Sequence, residues 1–170
     1  PYLKLRAGLL LIPMGFINEY HEPLVFLGVE RPHIDQVIVP TTWREIGFGF
    51  TGNILPLSIN YQAYLVNGLN GYDGEANFSG NGLRSGRQKG AESFITTPDF
   101  TAKVSYYGIR GLNLGVSGYV GTSESSLYSG IDKDNTSALA TADSSVVGIR
   151  MLGADLRYSL AGFRFRGQVY

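Results

Sequence analysis

The chain has 170 residues, no cysteine and a formal net charge of zero, and only 16% of its residues are charged. These values exclude a disulfide scaffold and a thiolate metal site, and they predict no nucleic-acid partner. The 23 glycines, 11 tyrosines and 9 phenylalanines are typical of a β-rich protein with many turns. No apolar run is long enough for a transmembrane helix, whereas a barrel strand needs only about 9–11 residues.

Seven segments alternate between apolar and polar side chains with a period of two, which predicts seven β-strands. In chain order they cover residues 3–11, 45–51, 57–65, 100–107, 112–120, 152–158 and 163–169. One face of each segment carries aliphatic or aromatic side chains, such as Leu5 and Val116. The other face is polar or glycine, so it would be a poor core for a soluble β-sandwich, which is the main alternative fold.

The connections between these strands alternate in length. Long connections follow the first, third and fifth strands, and short ones follow the second, fourth and sixth: residues 15–41, 68–98 and 122–145 against 53–56, 109–111 and 161–162. Because outer-membrane barrels have long extracellular loops and short periplasmic turns, the rhythm predicts an all-β, antiparallel transmembrane β-barrel. Bacterial single-chain barrels have an even number of strands, so about seven strands predict that residues 1–170 form a partial barrel domain, incomplete at both ends.

The polar face of the predicted strands is expected to line the lumen of this barrel. Its candidate pore-lining residues are Lys4, Arg6, Glu45, Gln62, Lys103, Asn113, Asp155, Arg157, Arg164 and Arg166. Six of these side chains are basic and two are acidic, and basic side chains in a narrow lumen favour anions. The alternative is that these basic side chains are structural and pair with carboxylates from loops or from other strands.

Two short connections predict the strand register. A three-residue loop at 109–111 would place Gly111 at positive φ. A two-residue turn at 161–162 would pair Leu160 with Phe163, and Arg157 would then lie opposite Arg166. Since directly opposed like charges destabilise a strand pair, this register predicts a basic zone in the periplasmic half of the lumen that is offset by carboxylates or by a transported anion.

Arg44 and Arg150 are expected on the apolar face, near the extracellular rim. Each lies close to the start of a strand that runs inward from that rim. A charge on the lipid-facing side is tolerable only where it reaches the polar boundary. The predicted contacts are therefore lipopolysaccharide phosphates, other outer-leaflet head groups or a neighbouring protein.

Four stretches, Arg6–Gly15, Asn18–Pro23, Gly28–Pro32 and Pro40–Gly47, resemble porin-like outer-membrane proteins of Bacteroidetes and their relatives. These proteins are similar to the phosphate-selective porin family, and the resemblance is best over residues 5–70. It implies a single-chain barrel in the outer membrane of a Gram-negative bacterium, often trimeric in the better-known relatives. The family's phosphate-binding residues do not map onto this chain, so phosphate selectivity is not carried over.

We therefore expect a channel for passive diffusion of small hydrophilic solutes, with no cofactor. The loop at 15–41 is expected to fold into the pore as a constriction, because Leu10 and Ile12, the last lumen-side residues before it, are apolar. The alternative function is a barrel plugged by its loops that acts as a receptor, an adhesin or a subunit of an export or assembly complex.

Enzymatic activity is not expected. A hydrolase needs a nucleophile, a base and an orienting group. The two histidines, His21 and His33, both lie in the loop at 15–41. His21 stands between acidic residues, but a single histidine in a polar loop is usually a hydrogen-bonding residue, so we predict no metal site.

Overall fold

The described part of the chain is an all-β structure built around one antiparallel sheet. A computed structural model gives the structure of residues 2–19, 33–40, 42–80, 82–90 and 93–170. The strands are β1 (Lys4–Leu11), β2 (Arg44–Ile54), β3 (Ile59–Val66), β4 (Asn70–Tyr72), β5 (Asp99–Tyr106), β6 (Leu112–Thr122), β7 (Glu124–Ser125), β8 (Gly148–Leu160) and β9 (Phe163–Val169). The helices are α1 (Gly15–Glu19), α2 (Ile34–Val37) and α3 (Thr136–Ser144), with 3₁₀ turns at Leu55–Leu57, Arg84–Gly86 and Ser126–Tyr128.

The main sheet is a seven-stranded meander in the order β1-β2-β3-β5-β6-β8-β9. Every neighbouring pair is antiparallel. These strands coincide with the seven alternating segments, which confirms their prediction. Within the described residues the sheet does not close: β1 pairs with β2 alone and β9 with β8 alone. None of the helices described has the length and hydropathy that a membrane crossing requires.

The two predicted registers are confirmed. Phe100 pairs with Val120 and Tyr106 with Leu114, the alignment that a three-residue loop at 109–111 requires, and Gly111 has φ 81°. The ladder stops at Tyr106, however, so the unpaired connection is longer than that loop. The other turn has Ala161 at φ 51° and Gly162 at φ 82°, as a two-residue hairpin turn demands.

We call the two sides of the sheet the outer and inner faces. Large apolar side chains of all seven strands are exposed on the outer face, among them Leu5, Leu9, Ile46, Phe48, Phe50, Leu65, Phe100, Val104, Leu114, Val116, Val120, Leu152, Phe163, Phe165 and Val169. We also distinguish the turn end of the sheet, where the short connections lie, from the loop end, where the long connections lie.

The hydrophobic core lies on the inner face, at the loop end. Its buried members are Leu10, Ile12, Met14, Val39, Trp43, Tyr64, Val66, Leu69, Tyr119 and Ile149. The sequence did not predict a core on this side. It forms because the long connections return to the inner face and bring Met14, Val39 and Leu69 onto apolar side chains that the ends of the strands present there.

A small second sheet, which the alternation pattern missed, lies in the long connections. β4 and β7 pair in parallel, with Asn70 opposite Glu124 and Tyr72 opposite Ser125. Strands of three and two residues are too short to show a period of two, so the sequence gives no signal for them.

Candidate functional site

The inner face is covered at its loop end by the long connection between β1 and β2. We call residues 12–19 and 33–40 the covering segment. Its helix α1 packs against β6, β8 and β9, and its own residues Met14, Phe16 and Ile17 are buried. Leu10 and Ile12 are also buried. The described part of this connection therefore folds over the inner face, and the constriction of a pore that Leu10 and Ile12 indicated stays a prediction.

Asn18 fixes the path of the covering segment. Its side-chain Nδ2 donates to the carbonyl oxygens of Ile12 at 2.7 Å and of Trp43 at 3.2 Å, and its Oδ1 accepts from the Trp43 amide at 2.8 Å. Asn18 is completely buried. Because one side chain satisfies three backbone groups from both ends of the connection, it holds α1 close to the start of β2.

Lys103 joins the covering segment to the centre of the sheet. Its Nζ lies 2.7 Å from Glu19 Oε2, 2.9 Å from Asp155 Oδ2 and 3.2 Å from the Gly15 carbonyl oxygen. The side chain of Lys103 is 2% exposed, that of Asp155 is fully buried and that of Glu19 is 16% exposed. Gln62 Nε2 also donates to Glu19 Oε1 at 2.6 Å. We call Lys103, Glu19, Asp155 and Gln62 the central cluster.

Asp35 ties the covering segment to the end of β9. Gln168 Nε2 lies 2.6 Å from Asp35 Oδ1 and 2.5 Å from its Oδ2, and the Tyr170 hydroxyl donates to Oδ1 at 3.2 Å. Burial raises the pKa of the Asp35 carboxyl above its usual range, although the hydrogen bonds from Gln168 and Tyr170 act in the opposite direction. Asp35 thus receives two side-chain donors from the far end of the chain.

The predicted arginines gather at the turn end of the inner face. Arg157, Arg164 and Arg166 line an open recess of about 760 Å³ together with Asn113, and Arg157 Nη2 donates to Asn113 Oδ1 at 3.1 Å. Arg157 lies opposite Arg166, as the register predicted. Asp155, a carboxylate on the same face of β8, forms its ion pair with Lys103.

Lys4 and Arg6 line a second recess at the turn end, of about 360 Å³. Both side chains are exposed, in contrast to Lys103. They therefore lie at the same end of the sheet as the three arginines, as their positions in β1 predicted. The structure places the basic residues of the inner face in two groups, an exposed or half-buried group at the turn end and the single buried Lys103 at the centre.

Glu45 lies at the loop end and belongs to neither group. It is completely buried and accepts hydrogen bonds from Trp43 Nε1 at 3.2 Å, Asn67 Nδ2 at 3.1 Å and the Gln88 amide at 3.3 Å. Its side chain faces the connections that pack on the inner face. Arg44, the preceding residue, and Arg150 are exposed on the outer face, the side of the sheet that the alternation predicted for both.

Sequence reasoning missed Glu19 and Asp35 as members of this site. Both lie in a connection without periodicity, and their partners are 84 and 133 residues away in the chain. Among the described residues, no group of three or more His, Asp or Glu side chains could hold a metal ion. His21 lies outside the described residues.

The chain is similar to an uncharacterized protein of Aquifex aeolicus strain VF5. The two are 39% identical over 120 residues, which is 71% of this chain and 27% of that protein. The chain thus spans about a quarter of the length of the curated relative that it matches. No family model and no solved structure matches the chain, so the resemblance to porins stays a prediction.

Proposed function

We propose that the sheet is part of a transmembrane β-barrel in the outer membrane of a Gram-negative bacterium, and that the barrel is a porin-like channel for passive diffusion of small hydrophilic solutes. The observation that carries the proposal is the contrast between the two faces. Apolar side chains of all seven strands are exposed on the outer face, while Lys103 and Asp155 are buried at the inner face. An exposed apolar surface of this extent is typical of contact with lipid or protein.

The open edges of the sheet support a larger barrel. Unpaired edge strands favour association, and barrel closure removes them. Because 120 matched residues are 27% of the Aquifex protein, that protein has about 440 residues. A sheet that continued at seven strands per 170 residues would have about 18 strands over that length, within the range of barrels that leave an aqueous channel.

In this proposal the covering segment is the constriction of the channel. Solutes would pass between α1, which is held on the sheet by Lys103, and the opposite wall of the barrel. The basic residues that line the open recess at the turn end, Arg157, Arg164 and Arg166, would bias conduction toward anions. The proposal needs no cofactor and no covalent step.

The alternative function is a plugged barrel that acts as a receptor, an adhesin or a subunit of an export or assembly complex. The nearly complete burial of Lys103 and Asp155 beneath the covering segment favours it, because a plug excludes water from the centre of the lumen. The resemblance also implies a homotrimer, which the native mass of the detergent-solubilised protein would test.

Single-channel recording separates the two functions. The complete protein, purified in detergent and inserted into a planar bilayer, should give stepwise conductance in simple salt. Detergent alone is the control for membrane leakage. A protein that is folded by circular dichroism and yet conducts no ions would contradict the channel and favour the plugged barrel.

A further inference from the structure

An apolar groove lies on the outer face, between the sheet and part of the connection that follows β4. We call residues 93–98 the overlying segment. Ile46, Phe48 and Leu65 line the groove from the sheet, and Phe94, Ile95 and Pro98 line it from the overlying segment. Its volume is about 370 Å³. These side chains of the sheet are exposed, as are Val116 and Leu152 elsewhere on this face, but only here does the overlying segment form a second wall beside them.

The overlying segment is fixed by hydrogen bonds. Gln88 Oε1 accepts from the Phe94 amide at 2.9 Å, and Gln88 Nε2 donates to the Phe94 carbonyl oxygen at 3.1 Å and to that of Gly68 at 2.8 Å. The buried Glu124 accepts from the amides of Thr96 at 2.8 Å and Thr97 at 3.3 Å. These hydrogen bonds hold the backbone of the overlying segment in place, so this wall of the groove is part of the fold.

One cationic side chain stands near the loop end of the groove. Arg44 is exposed on the outer face of β2, two positions before Ile46. Lys89 lines a separate recess with His33 and Gln36. Burial and the charges of Arg84 and Arg44 lower the pKa of Arg87, whereas the charge of Glu45 raises it.

We propose that this groove binds an acyl chain of an anionic lipid of the outer leaflet, whose phosphate is held by Arg44. The occupant follows from charge and shape together. The groove offers an apolar lining to a hydrocarbon chain, and Arg44 stands at the rim where a polar head group lies. An apolar peptide would fit the lining but would leave Arg44 without a counter-charge.

This proposal rests on the membrane placement of the sheet, but not on conduction. The test uses the complete protein in a non-ionic detergent and native mass spectrometry. The probes are phosphatidic acid and phosphatidylcholine with identical eight-carbon chains, and inorganic phosphate. Phosphatidic acid should be retained more tightly than phosphatidylcholine, and Arg44→Ser should weaken its retention about fivefold, the factor for one cation beside an anionic lipid.

Two further variants separate the groove from general electrostatic attraction. Arg150→Ser removes the other rim arginine of the outer face, which has no groove residue beside it, and should leave retention unchanged within twofold. Ile95→Asn should weaken the retention of both lipids, because it places a polar group against the acyl chain. Circular dichroism of each variant checks that the protein remains folded.

Three outcomes would overturn the lipid site. These are equal retention of both lipids, equal losses in Arg44→Ser and Arg150→Ser, and displacement of phosphatidic acid by an equal concentration of inorganic phosphate. The last result would indicate an anion site without a groove. Conductance measured on the same preparation keeps the two proposals apart, since a conducting protein that fails these lipid tests loses only the lipid site.

Discussion

The centre and the turn end of the inner face both carry basic side chains, but the two regions differ in how these positive charges are compensated. At the centre, Lys103 is buried and has carboxylates on two sides, Glu19 from the covering segment and Asp155 from β8. At the turn end, Arg157 and Arg166 are paired across strands and line a recess that is open to solvent. The comparison shows that basic side chains on one face of a sheet can either hold another segment of the chain in place or line a recess that is open to solvent.

The largest effect should come from breaking the central cluster. Lys103→Met leaves two carboxylates in a buried site without their counter-charge, so we expect the free energy of unfolding to fall by about 3–5 kcal/mol. The measurement is a denaturant titration of the complete protein in lipid vesicles. Channel conductance should also rise, because the covering segment loses its tie to the sheet.

The matched control is Lys4→Met, which removes an exposed cation at the turn end and should change stability by about 1 kcal/mol or less. Adding Asp155→Asn to Lys103→Met should recover part of the loss, since it removes one of the stranded charges. A cost below about 1 kcal/mol for Lys103→Met would mean that the cluster does not hold the covering segment.

The second effect tests whether the outer face meets lipid. Val116→Arg should cost about 2–4 kcal/mol in the same titration, because Val116 is exposed near the middle of β6 on the apolar side. Ser105→Arg is the control: Ser105 is partly exposed on the inner face, opposite Gly115. Equal costs for the two variants would contradict a membrane barrel in which only the outer face meets lipid.

A smaller effect is expected from the strained turn between β8 and β9. Ala161 has φ 51°, a left-handed conformation that costs an L-residue about 1–2 kcal/mol. Ala161→Gly should relieve part of that strain and raise the free energy of unfolding by about 1 kcal/mol. Because the turn lies far from the covering segment, conductance should stay at the wild-type value. A change in conductance would show that the two regions are coupled.

The double variant Arg157→Ser with Arg166→Ser should have the smallest effect on stability. It also tests whether the arginines at the turn end set the anion preference. Loss of the opposed like charges and loss of the hydrogen bond to Asn113 act in opposite directions, so stability should change by less than about 1 kcal/mol. The anion preference should decrease, seen as a shift of the reversal potential in a salt gradient. An unchanged preference for anions would mean that these arginines have only a structural role in the strand pair.

The sequence predicted the strands and their register because both follow from local rules. Alternation identified the seven strands, and a turn of two residues fixed the pairing of Leu160 with Phe163. The same rules placed Lys103 and Asp155 on one face. They could not reveal that Lys103 is buried, because burial depends on Glu19, which lies in a connection without periodicity.

The open arginines were easier to predict than the central cluster for the same reason. Arg157, Arg164 and Arg166 belong to one hairpin, so the turn alone sets their arrangement. Asp35 and Gln168 are 133 residues apart, and only the folded chain brings them into contact. Local patterns thus predict cations that face solvent, whereas buried ion pairs between distant segments need tertiary structure.

The ties of the covering segment also impose an order on assembly. The segment directly follows β1, yet besides its contacts with β6 and with Lys103 of β5 it packs on β8 and β9, and its Asp35 accepts a hydrogen bond from Tyr170 just beyond. Closing a loop of more than a hundred residues is entropically unfavourable until the strands between have paired. We therefore expect the segment to complete its docking late. A chain truncated before β8 should form hairpins from its remaining strands, while the segment lacks the contacts that β8, β9 and Tyr170 supply.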